Sequence, residues 1–86
     1  MQTEVYERPR EKLIRGGVDT LSTIELIQLI IGSGTSVASS AKLARVVGIL
    51  VEQNAVTLTA LCEIKGVGHA KACQIIAALE IGRRAG

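Results

Sequence analysis

Valine and isoleucine are abundant in this chain, yet no run alternates apolar and polar residues with a period of two over a useful length. The apolar residues recur instead at three- and four-residue spacing, the period of a helix with one buried face. Glycine pairs and short polar runs separate these stretches and break any longer helix. The pattern predicts an all-α domain, a compact bundle of about five short helices.

The residues up to Glu7 have no periodicity and read as a loose N-terminal arm, leaving residues 8–86 as one helical domain. Pro9 suits the first turn of a helix, where its missing N–H costs nothing, and Arg10 to Arg15 can continue it until Gly16-Gly17. "STIE" is a capping box, with Ser22 as N-cap and Glu25 at the third helical position, so a helix over 23–31 follows. That helix, "TIELIQLII", has little polar surface beyond Glu25 and Gln28 and belongs in the centre of the domain. After "GSGTSVASS", the spacing of Ala41, Leu43, Ala44, Val47, Leu50 and Val51 predicts a helix over 38–53, stopped by Asn54. Thr57 can cap a short helix to Cys62, and a last helix runs from His69 to Arg84 with Ala72, Ile75, Ile76, Leu79 and Gly82 at helical spacing.

At 86 residues, the chain has room for one small domain, near the lower limit for a core without disulfides or metals. Tyr6 is the single aromatic residue, so Leu, Ile, Val and Ala must build that core. The longest apolar run, "VVGILV", is far short of the ~18 residues a membrane helix needs. "MQTEVYERPREK" has no apolar stretch of a secretory signal, which places the chain in the cytoplasm. Cys62 and Cys73 are not in a C-x-x-C, and they read as two reduced, buried thiols acting as small hydrophobes. Residues 1–25 carry four bases against five acids, whereas residues 26–86 carry six against three. This modest basic bias permits a polyanion partner without demanding one.

Slid by 34 positions, the chain partly repeats itself. Ile24, Ile27 and Ile30 fall on Leu58, Leu61 and Ile64, Gly32 and Gly34 on Gly66 and Gly68, and Ala38 on Ala72. Any two helix–turn–helix pairs rich in Ile, Leu and Gly align to some degree, so the likeness alone decides little. The second copy, "EIKGVGHAK", carries the chemistry. Gly66 can adopt left-handed dihedrals where a helix ends, Val67 can turn inward as a plug, and Gly68 leaves the next helix start without a side chain. The amides of Gly68, Ala70 and Lys71, the positive end of the helix dipole and the charges of Lys65 and Lys71 then suit a phosphate. A P-loop would need Gly-Lys-Ser/Thr after four spacers, and a dinucleotide fingerprint would need a preceding strand; neither is present.

"LTALCEIKGVGHAKACQI" resembles the helix-hairpin-helix motif, in which two short helices joined by a hydrophobic-Gly-hydrophobic-Gly turn grip the sugar–phosphate backbone of DNA without reading bases. Leu61, Ile64, Gly66, Val67, Gly68, Ala72 and Ile76 fit it. The resemblance assigns DNA contact to Lys65, Gly66, Gly68, His69, Ala70 and Lys71, and it implies a monovalent cation on the backbone carbonyls of Cys62, Ile64 and Val67. Over Arg8 to Arg84 the chain is similar to the N-terminal domain of RadC-like proteins, historically labelled DNA-repair proteins. In that family such a domain precedes a JAB/MPN metalloprotease-like domain, whose zinc-binding histidines have no counterpart here. The resemblance therefore implies a non-catalytic fragment that binds DNA and partners a JAB/MPN-type domain.

The first copy departs from the phosphate-binding pattern. Ser33 stands where an apolar plug is needed, and Thr35, Ser36 and Val37 bring no positive charge, so that copy reads as structural. His69 reads as a solvated first-turn residue that as imidazolium reinforces a phosphate contact. Lys42 and Arg45 read as a solvated face, and Arg83 and Arg84 complement the dipole at the end of the last helix. Single-strand stacking lacks aromatic platforms, and side chains suited to base edges do not cluster. The competing reading is a protein-interaction or intramolecular docking module that uses the apolar surface of the Ile-rich helix and binds no DNA.

Overall fold

The computed structural model describes residues 8–32 and 37–86, without the side chains of 37 and 38. The predicted N-terminal arm and the turn around Gly34 lie outside the described residues. Within them the chain forms α1 (Pro9–Gly16), a short 3-10 turn (Val18–Thr20), α2 (Thr23–Ile31), α3 (Val37–Glu52), α4 (Leu58–Cys62) and α5 (His69–Ala85), with no strand. The all-α reading holds, with every helix within about two residues of its predicted bounds.

Helix ends explain these bounds. Gly17 stops α1 at φ 87°, ψ 174°, backbone that glycine alone adopts without strain. The α2 capping box is formed on both sides: Glu25 N–H donates to Ser22 Oγ at 3.1 Å, and Ser22 N–H donates to Glu25 Oε1 at 2.9 Å. α3 ends with Asn54 at φ 53°. Ala55 N–H there donates to Leu50 O at 2.9 Å and Asn54 N–H to Val51 O at 3.1 Å, satisfying the last carbonyls. The 3-10 turn was not foreseen; Thr20 Oγ1 donates to Gly17 O at 2.8 Å and folds the link back on itself.

The core is aliphatic, as the composition requires. α2 supplies Ile27 and Ile31, α3 Ala44 and Val47, α4 Leu61, the following turn Val67, and α5 Ala72 and Ile75. Burying such side chains stabilises the fold by roughly 1.5–3 kcal/mol for each large one. α2 lies between its neighbours and packs on α1, α3 and α5. Gln28 is not the solvent-facing residue its polarity predicted. It is buried and donates from Nε2 to Ser40 Oγ at 3.0 Å, so the polar group is satisfied inside the α2–α3 contact.

The thiols need a second correction. Both cysteines are free, but Cys62 is half-buried and Cys73 exposed. α5 turns Ala72 and Ile75 inward, which leaves Cys73 on a flank open to solvent. No helix among the described residues is long and apolar enough to cross a membrane.

Candidate functional site

The site begins with a short helix held at both ends. Thr57 Oγ1 accepts Ala60 N–H at 3.0 Å and starts α4. Leu61, with no exposed surface, fixes it to the core. Beyond Cys62 the chain tightens: Ile64 N–H donates to Leu61 O at 3.1 Å and Val67 N–H to Ile64 O at 3.0 Å. Gly66 has φ 96°, and a Cβ on it would stand 3.1 Å from Leu43 Cδ2. Both facts disfavour a side chain there, one through backbone strain and the other through close packing on Leu43 of α3. Leu43 was assigned to the apolar face of α3, but its role beneath the turn depends on a contact across 23 residues that periodicity does not show.

Val67 is 4% exposed and is the inward plug that the motif predicted. With it seated, Gly68 lies at the surface as the N-cap of α5, at φ −81°, ψ 177°. A Cβ built on Gly68 would meet nothing within 4 Å, so space is open above the helix end. The first helical hydrogen bond comes from Ala72 N–H to Gly68 O at 2.9 Å. The amides of Gly68, His69, Ala70 and Lys71 donate to no protein acceptor among the described residues. Such an end combines unpaired donors with the positive pole of a helix.

The charged residues sort into two groups. Lys65 and His69 are exposed and Lys71 half-buried around this turn, and neither lysine is paired with an acid among the described residues. Arg83 and Arg84, by contrast, both bond Glu80, at 2.8 Å and 2.7 Å. Hydrogen bonds from Arg83 first and Arg84 second hold the Glu80 carboxyl below its ordinary range. These arginines therefore close on their own helix. Of the carbonyls assigned to a monovalent cation, Ile64 O already accepts the Val67 amide, leaving its second lone pair. The described residues contain no cluster of three or more His, Cys, Asp and Glu side chains able to hold a metal.

The sequence likeness covers this geometry. The family model for the UPF0758 N-terminal region matches residues 1–73, which include α4, the glycine turn and the first turn of α5. This chain belongs to the UPF0758 N-terminal family. The assignment agrees with the RadC-like resemblance. A UPF0758 protein of Protochlamydia amoebophila is 49% identical over 83 residues, covering 92% of this chain and 36% of that protein. One of Geobacter sulfurreducens is 46% identical over 84 residues, covering 91% and 37%, and one of Alkaliphilus oremlandii is 43% identical over 84 residues, covering 91% and 36%. The chain thus spans little more than a third of the length of these curated relatives. No solved structure matches it.

Proposed function

We propose that this UPF0758 domain is a non-catalytic, non-sequence-specific DNA-binding module that grips the sugar–phosphate backbone through the α4–α5 hairpin. The observation that carries the reading is the open start of α5: unpaired amides at Gly68, Ala70 and Lys71, no side chain above them, and unpaired Lys65 and Lys71 beside them. A phosphate oxygen accepts such amides and gains from the helix dipole and the lysine charge. Lys65, Gly66, Gly68, His69, Ala70 and Lys71 form the contact. A monovalent cation on the carbonyls of Cys62, Ile64 and Val67 adds positive charge beside the phosphate. In a longer RadC-like protein, the module delivers or regulates a JAB/MPN-type domain, which holds any catalysis.

Docking through the Ile-rich helix is less well supported, because α2 commits Ile27 and Ile31 to the core. The test is a titration of labelled duplex and branched DNA at two salt concentrations, with a Lys71→Glu variant whose fold is checked by circular dichroism. Salt-sensitive binding that the variant loses is the expected result. Binding that is absent, or indifferent to the variant, would leave the hairpin as a packing device.

A further inference from the structure

Ser39, Lys42, Leu43 and Val46 fall at i, i+3, i+4 and i+7 of α3 and form one stripe along that helix. The stripe borders an open groove of about 420 Å³ whose other wall is Ile64, Lys65 and Gly66 of the hairpin. Leu43, Val46 and Ile64 make its floor apolar. Its charged residues are Lys42 and Lys65, and no Asp or Glu lines it. Neither lysine is paired with an acid among the described residues. The fold has brought two cations from distant parts of the chain to one cleft, where their mutual repulsion is relieved by an anion placed between them.

We propose that this groove extends the hairpin site, so that Lys42 of α3 contacts a further phosphate of the DNA strand held at the start of α5. The inference rests on the hairpin reading and adds α3 to it. A sugar–phosphate strand alternates anionic groups with the apolar faces of its sugars, and the groove offers lysines beside an aliphatic floor. An acidic peptide with an aliphatic side chain shares that chemistry. Continuity favours the strand: Gly66 belongs both to the groove wall and to the turn that leads to the α5 amides.

The experiment measures duplex affinity against salt for the wild type, Lys42→Ala, Lys42→Arg and Arg45→Ala. Arg45 is also exposed on α3 but does not line the groove, so it controls for net charge. The slope of log affinity against log salt is expected to fall by about 0.9 in Lys42→Ala, with affinity down roughly tenfold near 50 mM and a few-fold near 200 mM. Lys42→Arg should keep the wild-type slope, as should Arg45→Ala. Wild-type binding with an unchanged Lys42→Ala slope would overturn the inference and leave the hairpin reading standing. Equal losses in Lys42→Ala and Arg45→Ala would overturn it too, because the effect would then be one of overall charge. No wild-type binding would remove both readings. A melting curve for each variant separates these outcomes from unfolding.

Discussion

The starts of α2 and α5 offer the same backbone donors and are completed in opposite ways. At α2, Ser22 and Glu25 occupy the helix end with the chain's own oxygens, and Lys12 Nζ reaches Glu25 Oε2 at 2.7 Å to neutralise the charge brought there. At α5, Gly68 supplies no side-chain oxygen, the first turn holds no acid, and Lys71 adds positive charge instead. α4 follows the first solution, with Thr57 accepting from Ala60 N–H, and α1 follows it in half, with Glu11 accepting from Arg8 N–H at 3.1 Å but no cap from the Arg8 side chain. An end filled from within stabilises its own helix; an end left open gives up that gain and keeps its donors for a ligand. Where the chain forgoes a cap that it uses elsewhere, the comparison locates the candidate site.

The comparison presumes that the open end is rigidly held, and the largest effect tests that premise. Leu61→Ala should cost about 2–5 kcal/mol in urea denaturation, because a fully buried leucine anchors α4 and the site cannot refill without moving the hairpin. A cost under about 1 kcal/mol would mean that α4 lies loosely on the core, and the frame of the open end would be lost.

Gly66→Ala comes next, at about 1–2 kcal/mol, from the left-handed backbone and the 3.1 Å approach to Leu43. It also separates the two copies of the repeat. Gly32, the counterpart of Gly66, sits at φ −78°, within the range of ordinary residues. A Cβ there would instead press within 2.6 Å of Gln28 O. The two glycines occur at one register for different reasons. An unchanged melting temperature in Gly66→Ala would show that the turn can take another shape.

Local signals account for what was legible before the structure. "STIE" marks the start of α2 to the residue and Asn54 marks the end of α3, since each depends on neighbours within four positions, and the glycine–valine–glycine spacing foretells the inward Val67 without showing the distant core residues that bury it. Readings that failed depend on distant partners. Gln28 is satisfied by Ser40, twelve residues away, so its polarity was a poor guide to exposure. Lys42 is exposed, in keeping with its reading as a solvated charge, and only the groove it shares with Lys65 depends on a distant partner that a helical wheel of α3 does not show. Cys73 has the composition of a core residue and the position of a surface one.

Gly68→Asp sharpens the contrast by giving α5 the solution that α2 uses. The extended backbone at Gly68 suits an N-cap aspartate, and the space above it is open. Stability should rise by about 0.5–1 kcal/mol, as the carboxylate accepts a free amide and meets the positive pole. DNA affinity should fall at the same time, because the acceptor and its charge now occupy the phosphate position. Opposite signs from one substitution cannot come from damage to the fold. A stability gain with DNA binding intact would place the anion site elsewhere.

The smallest effect concerns the filled end. The hydrogen bond from the Lys12 side chain, then that from the Ser22 amide, hold the Glu25 carboxyl below its ordinary range, against a smaller opposing effect of burial. A carboxyl lowered in the folded state contributes stability that is present above its unfolded value and is lost as pH falls through the folded one. Glu25→Gln keeps an acceptor for the Ser22 amide but carries no charge, so it isolates the electrostatic part. At neutral pH the variant should be less stable by about 0.5 kcal/mol, a partly exposed ion pair and a dipole contact being worth no more. As pH falls below the ordinary glutamate range, wild type and variant should converge, because the wild-type carboxyl is then protonated too. Denaturation curves at neutral pH and near pH 2 measure the gap. If it persists in acid, the capping box works by shape alone, and the charge of an anion would not distinguish the open start of α5 from any other unfilled helix end.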